Sequence, residues 1–437
     1  MTKKILVILL IAILFRFLLS SLTFHADILS QANWGQNIFE DGAKNFYSRN
    51  EWIFSWPNHP PLTSLYYGFC YKIFLQTSAH LYHLASILNK LGIWQGIVLD
   101  KIYSFDKLVS ANMPFPLGYL LCLKFFPILF DLLIGLIFFY IAKKHHRDAY
   151  KFLLIYLFSP FSWYVSSLWG QTDQISFYFS ILAFLLVLKS PIVSILIFFI
   201  SISIKPTSIF LFPLFIYILL KNRISKKNIL LGFLISCGLG IYILSRFTDK
   251  NLVDFTLNTL IPRIFDRPAR LTTNAYNFWH MFTLDKGLSN MTKFFYIPGI
   301  IWGFFAYILI NLVSFKLVGK NNLNSIIKAF FVVSFGSWLF LTDMLDRYSF
   351  GGIVSGLFLI IMYPNLFRHW LILSLIYWLN LFRGWWYPNF LSPIKNILIS
   401  NNYIAGLFLS FGNTFVYLSI LRFLLTKKLL TTPDDKK

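Results

Sequence analysis

The chain has 437 residues, 57% of them hydrophobic and only 13% charged, with 50 Phe. Charged side chains this sparse cannot solvate a soluble exterior, so the composition excludes a soluble enzyme and points to a polytopic membrane protein. The 39 Lys and Arg against 17 Asp and Glu leave a formal charge of +22, but the surplus falls in short segments between apolar runs. There it orients the chain in a membrane instead of marking a nucleic-acid partner, and part of it is available to anionic lipid or a phosphorylated ligand.

Backbone groups in hydrocarbon bond within their own helix, so an all-α bundle is expected, with spans matched to a core about 30 Å thick. Residues 5–22 follow Lys3 and Lys4 and lack a small-residue cleavage signal, so they read as an uncleaved anchor with a cytoplasmic N-terminus. The basic clusters over 143–147 and 221–227 belong inside. If 5–22 leads out and 116–142 leads in, everything from 23 to about 115 stays outside. The segment 62–77, interrupted by Gly68 and Lys72, is then expected to lie in the outer interface, with 79–112 as a further amphipathic cover. Crossings follow over 149–167, 175–188, 191–204, 207–220 and 228–245. After a second outer loop over 246–292 come 293–317, 325–341, 349–363, 370–382 and 402–424. The count is about twelve crossings with both termini cytoplasmic. The chain thus divides into a transmembrane module over 1–245 that includes the outer loop 23–115, the second outer loop 246–292, and C-terminal helices over 293–437, with no separate soluble domain. Cys70, Cys122 and Cys237 lack metal or disulfide spacing and read as packing residues.

With that parity the conspicuous polar motifs all face outward. The first loop carries Asp27, placed just after the first helix among Trp34, Trp52 and Trp56. The others are the Trp169-Gly170-Gln171-Thr172-Asp173 turn, Lys205 at a Lys-Pro break, and Arg263, Arg267, Arg270 and Arg347. One acid among many cations suits a reaction in which a hydroxyl is deprotonated and an anion departs, phosphate being the expected anion. Asp27 is the candidate base, and Arg347, Lys205, Arg263, Arg267 and Arg270 the candidate phosphate ligands. Each motif also has a plainer reading: Lys205 as a snorkelling cation, 169–173 as a capped turn, the arginines as headgroup contacts, and Asp131 as a buried helix–helix contact. No GxxxxGK[ST] or HExxH pattern occurs, and His25 with Asp27 does not make a metal site, so no cofactor is expected.

In chain order stand Asp27 with Trp34, His59-Pro60-Pro61-Leu62, and Leu123-Lys124 with Pro127 and Asp131. Then come Ser166-Ser167-Leu168-Trp169-Gly170-Gln171-Thr172-Asp173, Lys205-Pro206-Thr207, Asn274-Ala275-Tyr276-Asn277-Phe278-Trp279, and Met344-Leu345-Asp346-Arg347-Tyr348. This ordered set resembles the GT-C superfamily of membrane glycosyltransferases over residues 5 to about 360. Within that superfamily it is most like bacterial mannosyltransferase-like proteins related to the glycosylphosphatidylinositol mannosyltransferases and the lipid-linked-oligosaccharide glucosyltransferases. Two positions depart from the family pattern: Leu345 replaces the His of a usual Met-His-Glu-Arg-Tyr, and His59 replaces the Tyr of a YPPL element. The resemblance implies inverting transfer of a hexose, mannose being the expected one, from a polyprenyl-phosphate sugar donor to a glycan or glycolipid acceptor at the outer face of a plasma membrane. It implies Asp27 as base and substrate contacts at Trp34, His59, Trp169, Gln171, Asp173, Asn274, Asn277 and Tyr348. The alternative from another class is a transporter or flippase of a lipid-linked saccharide, which needs a polar path across the bilayer and some internal repeat.

Overall fold

The computed structural model describes residues 3–23, 25–90, 117–265, 269–283, 286–385, 391–400 and 403–430. Arg267 and the part of the expected amphipathic cover beyond residue 90 lie outside them. Along the chain, α1 (Lys3–Leu22) is followed by α2 (Asp27–Glu40), α3 (Pro61–Lys90) and α4 (Leu117–Lys144). The helices α5 (Ala149–Phe158) and α6 (Pro160–Trp169) meet at a 49° bend. Then come the shorter apolar helices α7 (Asp173–Leu186), α8 (Pro191–Ile204) and α9 (Pro206–Lys221), and the longer α10 (Lys226–Ser245). A string of helical turns over 252–265 and a single turn His280–Thr283 precede α11 (Gly299–Leu317), α12 (Leu323–Phe340), α13 (Phe350–Met362), α14 (Phe367–Arg383) and α15 (Tyr403–Leu430). Among the described residues the named strands form one two-stranded hairpin, pairing Lys293 with Pro298 and Phe294 with Ile297.

The chain is an all-α membrane protein. Six helices, α1, α4, α10, α11, α12 and α15, are long and apolar enough to cross a bilayer, and the bent α5–α6 pair makes a seventh if it is one span. The remaining expected crossings are helical but shorter. Their ends are set by proline: Ser159 and Lys205 precede Pro160 and Pro206 and both take extended backbone angles, because a following proline ring disfavours the helical region. Each proline then opens the next helix, where its missing N–H leaves no bond unmade.

The segment after α1 differs from its expected form. It is not a plain loop, because α2 begins at Asp27 itself, burying Ile28, Ala32, Gly35 and Ile38 along one face. Nor does Gly68 interrupt α3. A Cβ on Gly68 would meet Ile38 at 2.6 Å, and one on Gly35 would meet the Tyr67 carbonyl oxygen at 2.5 Å, so the two glycines are where α2 and α3 approach closely. These helices, the start of α4 and residues around Phe247, Phe255 and Leu260 share an aromatic-rich core separate from that of the main bundle.

Two buried charges tie α1 to the rest. Arg16 Nε donates to Asp131 Oδ2 at 2.8 Å with both side chains fully buried, and the same carboxylate accepts from Tyr156 at 2.5 Å and Ser166 at 3.0 Å. Asp131 is therefore part of a helix–helix contact, satisfied on both oxygens, as an intramembrane charge requires. Lys124 donates to the Ser20 and Thr23 carbonyls, a cation on the free carbonyls of a helix C-terminus. It fixes the short linker that delivers the chain to Asp27.

Candidate active site

Asp27 is placed by the end of α6. Residues Tyr164–Trp169 form a π-helical turn that closes on Gly170 in the left-handed region, φ 73°. A Cβ there would lie 2.9 Å from both Ile28 Cδ1 and Lys124 Cγ, so glycine alone fits. The turn aims two donors at one oxygen: Trp169 Nε1 reaches Asp27 Oδ2 at 3.1 Å and Gln171 Nε2 reaches it at 2.8 Å. Arg347 Nη2 lies 3.5 Å from the same oxygen, its side chain 15% exposed against 41% for Asp27. The carboxylate is thus oriented through Oδ2, while Oδ1 has no hydrogen-bond partner among the described residues. His25 stacks on Trp169 with ring centroids 4.3 Å apart. Burial, then the charges of Lys124 and Arg347, lower its pKa and keep it neutral.

A second acid–base pair stands alongside. Asp173 opens α7, where the helix dipole favours a carboxylate, and it pairs with Lys205 at the α8–α9 break. The Tyr348 ring lies between the two cations, 5.3 Å from Lys205 Nζ and 5.8 Å from Arg347 Cζ. Arg347 also sits 5.1 Å over the Trp169 ring. The helical turn Asp346–Ser349 carries Arg347, whose backbone N–H donates to Asp346 Oδ1 at 2.7 Å. Burial raises the Asp346 carboxyl to a pKa of about 6 against the pull of Arg347. Leu345 acts through its backbone: its carbonyl accepts from Trp338 Nε1 at 2.8 Å, and it bridges to Thr273 and Asn274.

A cavity of about 300 Å³ opens beside this group, lined among others by His59, Lys205, Thr207, Leu345, Arg347 and Tyr348. His59 is held neutral by burial, then by Lys205 and Arg347, and its ring lies 5.4 Å from that of Trp34. The structure therefore brings together Asp27, Trp34, His59, Trp169, Gln171, Asp173, Lys205, Arg347 and Tyr348. Arg263 is used elsewhere, donating to the Tyr47 and Arg49 carbonyls at 3.2 and 3.1 Å and to Asn50 at 2.8 Å. Arg270 is exposed and holds Asp343 through its backbone at 2.5 Å. The Asn274 carbonyl accepts from Asn380 at 2.7 Å, and buried Asn277 donates to the Leu341 carbonyl at 3.5 Å. These two residues brace the loop after 269 against α14 and the end of α12, and neither lines the cavity.

Sequence reasoning passed over Arg16, Gln31 and Tyr67, and weighed His25 only as a metal ligand. Arg16 carried a signal, being a lone charge inside an apolar run. Gln31 and Tyr67 carried none until α2 and α3 were seen to pack. Among the described residues no group of three His, Cys, Asp or Glu is placed to hold a metal ion. No family model and no curated protein matches the chain.

Proposed function

We propose that the chain is a GT-C-like glycosyltransferase with about twelve crossings, both termini cytoplasmic and its site at the outer face of a plasma membrane. It moves a hexose, mannose being the favoured one, from a polyprenyl-phosphate carrier to a lipid-linked or glycan acceptor. The observation that carries this reading is Asp27, oriented through one oxygen and open on the other, 3.5 Å from Arg347, which lines a cavity together with Lys205. Asp27 Oδ1 takes the proton of an acceptor hydroxyl while that oxygen forms a bond to the anomeric carbon. The bond from that carbon to the phosphate oxygen breaks, its electron pair leaves on the polyprenyl phosphate, and attack from the opposite face inverts the configuration. Arg347 keeps a buried Nε with no partner among the described residues, a donor available to a phosphate oxygen whose growing charge it stabilises. Lys205 supplies the second cation.

The test is to incubate the purified protein in nanodiscs with radiolabelled polyprenyl-phosphate mannose, and separately glucose, together with membrane glycolipid extract. Labelled product of inverted anomeric configuration is expected. A carrier that crosses the bilayer with its sugar bond intact, or an inert one, overturns the reading.

A further inference from the structure

Gln31 follows Asp27 by four residues, one turn along the face of α2 that packs on α3. It is 1% exposed, and neither its amide nitrogen nor its oxygen has a hydrogen-bond partner among the described residues. Tyr67, fully buried on α3, has an unpartnered hydroxyl on the same terms. Contacts between the helices run in the same order along both, Gly35 to Tyr67, Ile38 to Gly68 and Glu40 to Tyr71. Helical side chains lean toward their own N-terminus, so the Tyr67 phenol leans toward the Asp27 end of α2. Burial, and next the charge of Asp27, hold the phenol protonated. Buried polar groups are almost always bonded, and two of the residues that contact the Asp27 carboxylate, Gln171 and Arg347, each have a further unpartnered atom, as do the neighbouring His25 and Thr172.

The two sides of Asp27 differ in charge. Toward the cavity stand Arg347 and Lys205; toward α3 stand an amide, a phenol and Trp34, whose ring is 6.0 Å from that of Tyr67, and the neutral His59 lines the cavity while its ring lies 5.9 Å from that of Tyr67. Amide and phenol each offer both donor and acceptor capacity, which matches hydroxyls that do the same, and neither brings the positive charge that would offset an anion buried beside Asp27. We propose that Gln31 and Tyr67 form the acceptor subsite, and that the group bound there is an uncharged, polyhydroxylated sugar ring. Its role as acceptor rests on the glycosyltransferase reading; the saccharide site itself does not.

The test uses full-length protein in nanodiscs, with Tyr67→Phe and Gln31→Leu, octyl α-mannoside as acceptor and polyprenyl-phosphate mannose as donor. Each variant should raise the acceptor KM about tenfold, the loss of one or two hydrogen bonds, with the donor KM unchanged. Methyl α-mannoside titrated against tryptophan fluorescence, without donor, should show the same loss. Removing an unpartnered hydroxyl should leave Tm equal or higher; a markedly lower Tm for Tyr67→Phe reveals a structural bond and overturns the proposal. So does an acceptor KM within twofold of wild type, or equal use of the 6-phosphate of octyl mannoside. If wild type transfers nothing but binds methyl mannoside through Gln31 and Tyr67, the transfer reading fails and the saccharide site stands. If it transfers to octyl mannoside with neither residue involved, the reverse holds.

Discussion

Arg347 and Asp27 meet, guanidinium to carboxylate, at 3.5 Å, although one follows α12 and the other opens α2. In the proposed reaction the arginine serves two partners in sequence, holding the carboxylate before substrate arrives and a phosphate afterwards. Asp27→Asn retains size and an acceptor oxygen for Trp169 and Gln171 but cannot take a proton. Turnover should fall by about 100- to 10,000-fold with donor binding preserved. Near-normal turnover in Asp27→Asn, with loss in Asp173→Asn, would move the base to the α7 turn.

Arg347→Lys keeps the charge but removes the planar fork that spans carboxylate and phosphate. Donor KM should rise at least tenfold in Arg347→Lys and further in Arg347→Ala, with wild-type expression. An unchanged donor KM in both would take Arg347 out of the donor site.

Asp346 titrates in an accessible range. Its folded pKa of about 6 lies above the unfolded carboxyl value near 3.8, so the folded state holds the extra proton between the two. The resulting stability is complete below about pH 4 and is lost as pH rises through about 6, on the order of 2 to 3 kcal/mol. Thermal melts from pH 4 to 7.5 should show this component declining with pH, and Asp346→Asn should flatten it. An identical pH slope in the variant would place the titration elsewhere.

The Arg16–Asp131 pair is a stability element. Asp131→Leu strands a guanidinium in the bundle and should cost about 3 to 5 kcal/mol, whereas Arg16→Leu with Asp131→Leu should recover most of it. Melting temperature in detergent compares them. A double variant no better than the single one would show that the bonds to Leu157, Tyr156 and Ser166 hold the contact instead.

Topology is open to direct labelling. In a cysteine-free background, Glu51→Cys should react with an impermeant thiol reagent from outside intact cells and Lys144→Cys only after permeabilisation. Both positions are exposed. Labelling of both from one side would undo the parity that puts Asp27 and the outer segments on a common face.

The apolar runs made the helices legible, since each expected crossing contains a helix, although the one over 293–317 starts only at Gly299 after a hairpin; the Lys-Pro pair marked one break, while the bend at Ser159-Pro160 inside the expected 149–167 crossing was not foreseen. The polar set was legible because each member stands at the end of an apolar run: Asp27, the Trp169–Asp173 turn, Lys205 and Arg347 all meet in the structure. What stayed hidden depends on partners distant in sequence. α2 is too rich in Gln and Asn to announce itself, and its face exists only because Tyr67 and Gly68 lie against it. Asp131 is ambiguous until Arg16 is known to reach it, and Arg263 resembles a phosphate ligand until the carbonyls of Tyr47 and Arg49 claim it.

The π-helical turn over Tyr164–Trp169 holds the site's geometry in a count of residues as well as in their identity. Such a turn carries one residue more than the α-helix it interrupts, and each residue advances a helix by about 100°. If the same residues wound regularly, the extra one would turn Trp169 and Gln171 about 100° away from Asp27, with every side chain of the site still present. The winding of this segment is therefore as much a determinant of the carboxylate's orientation as the two donors it delivers.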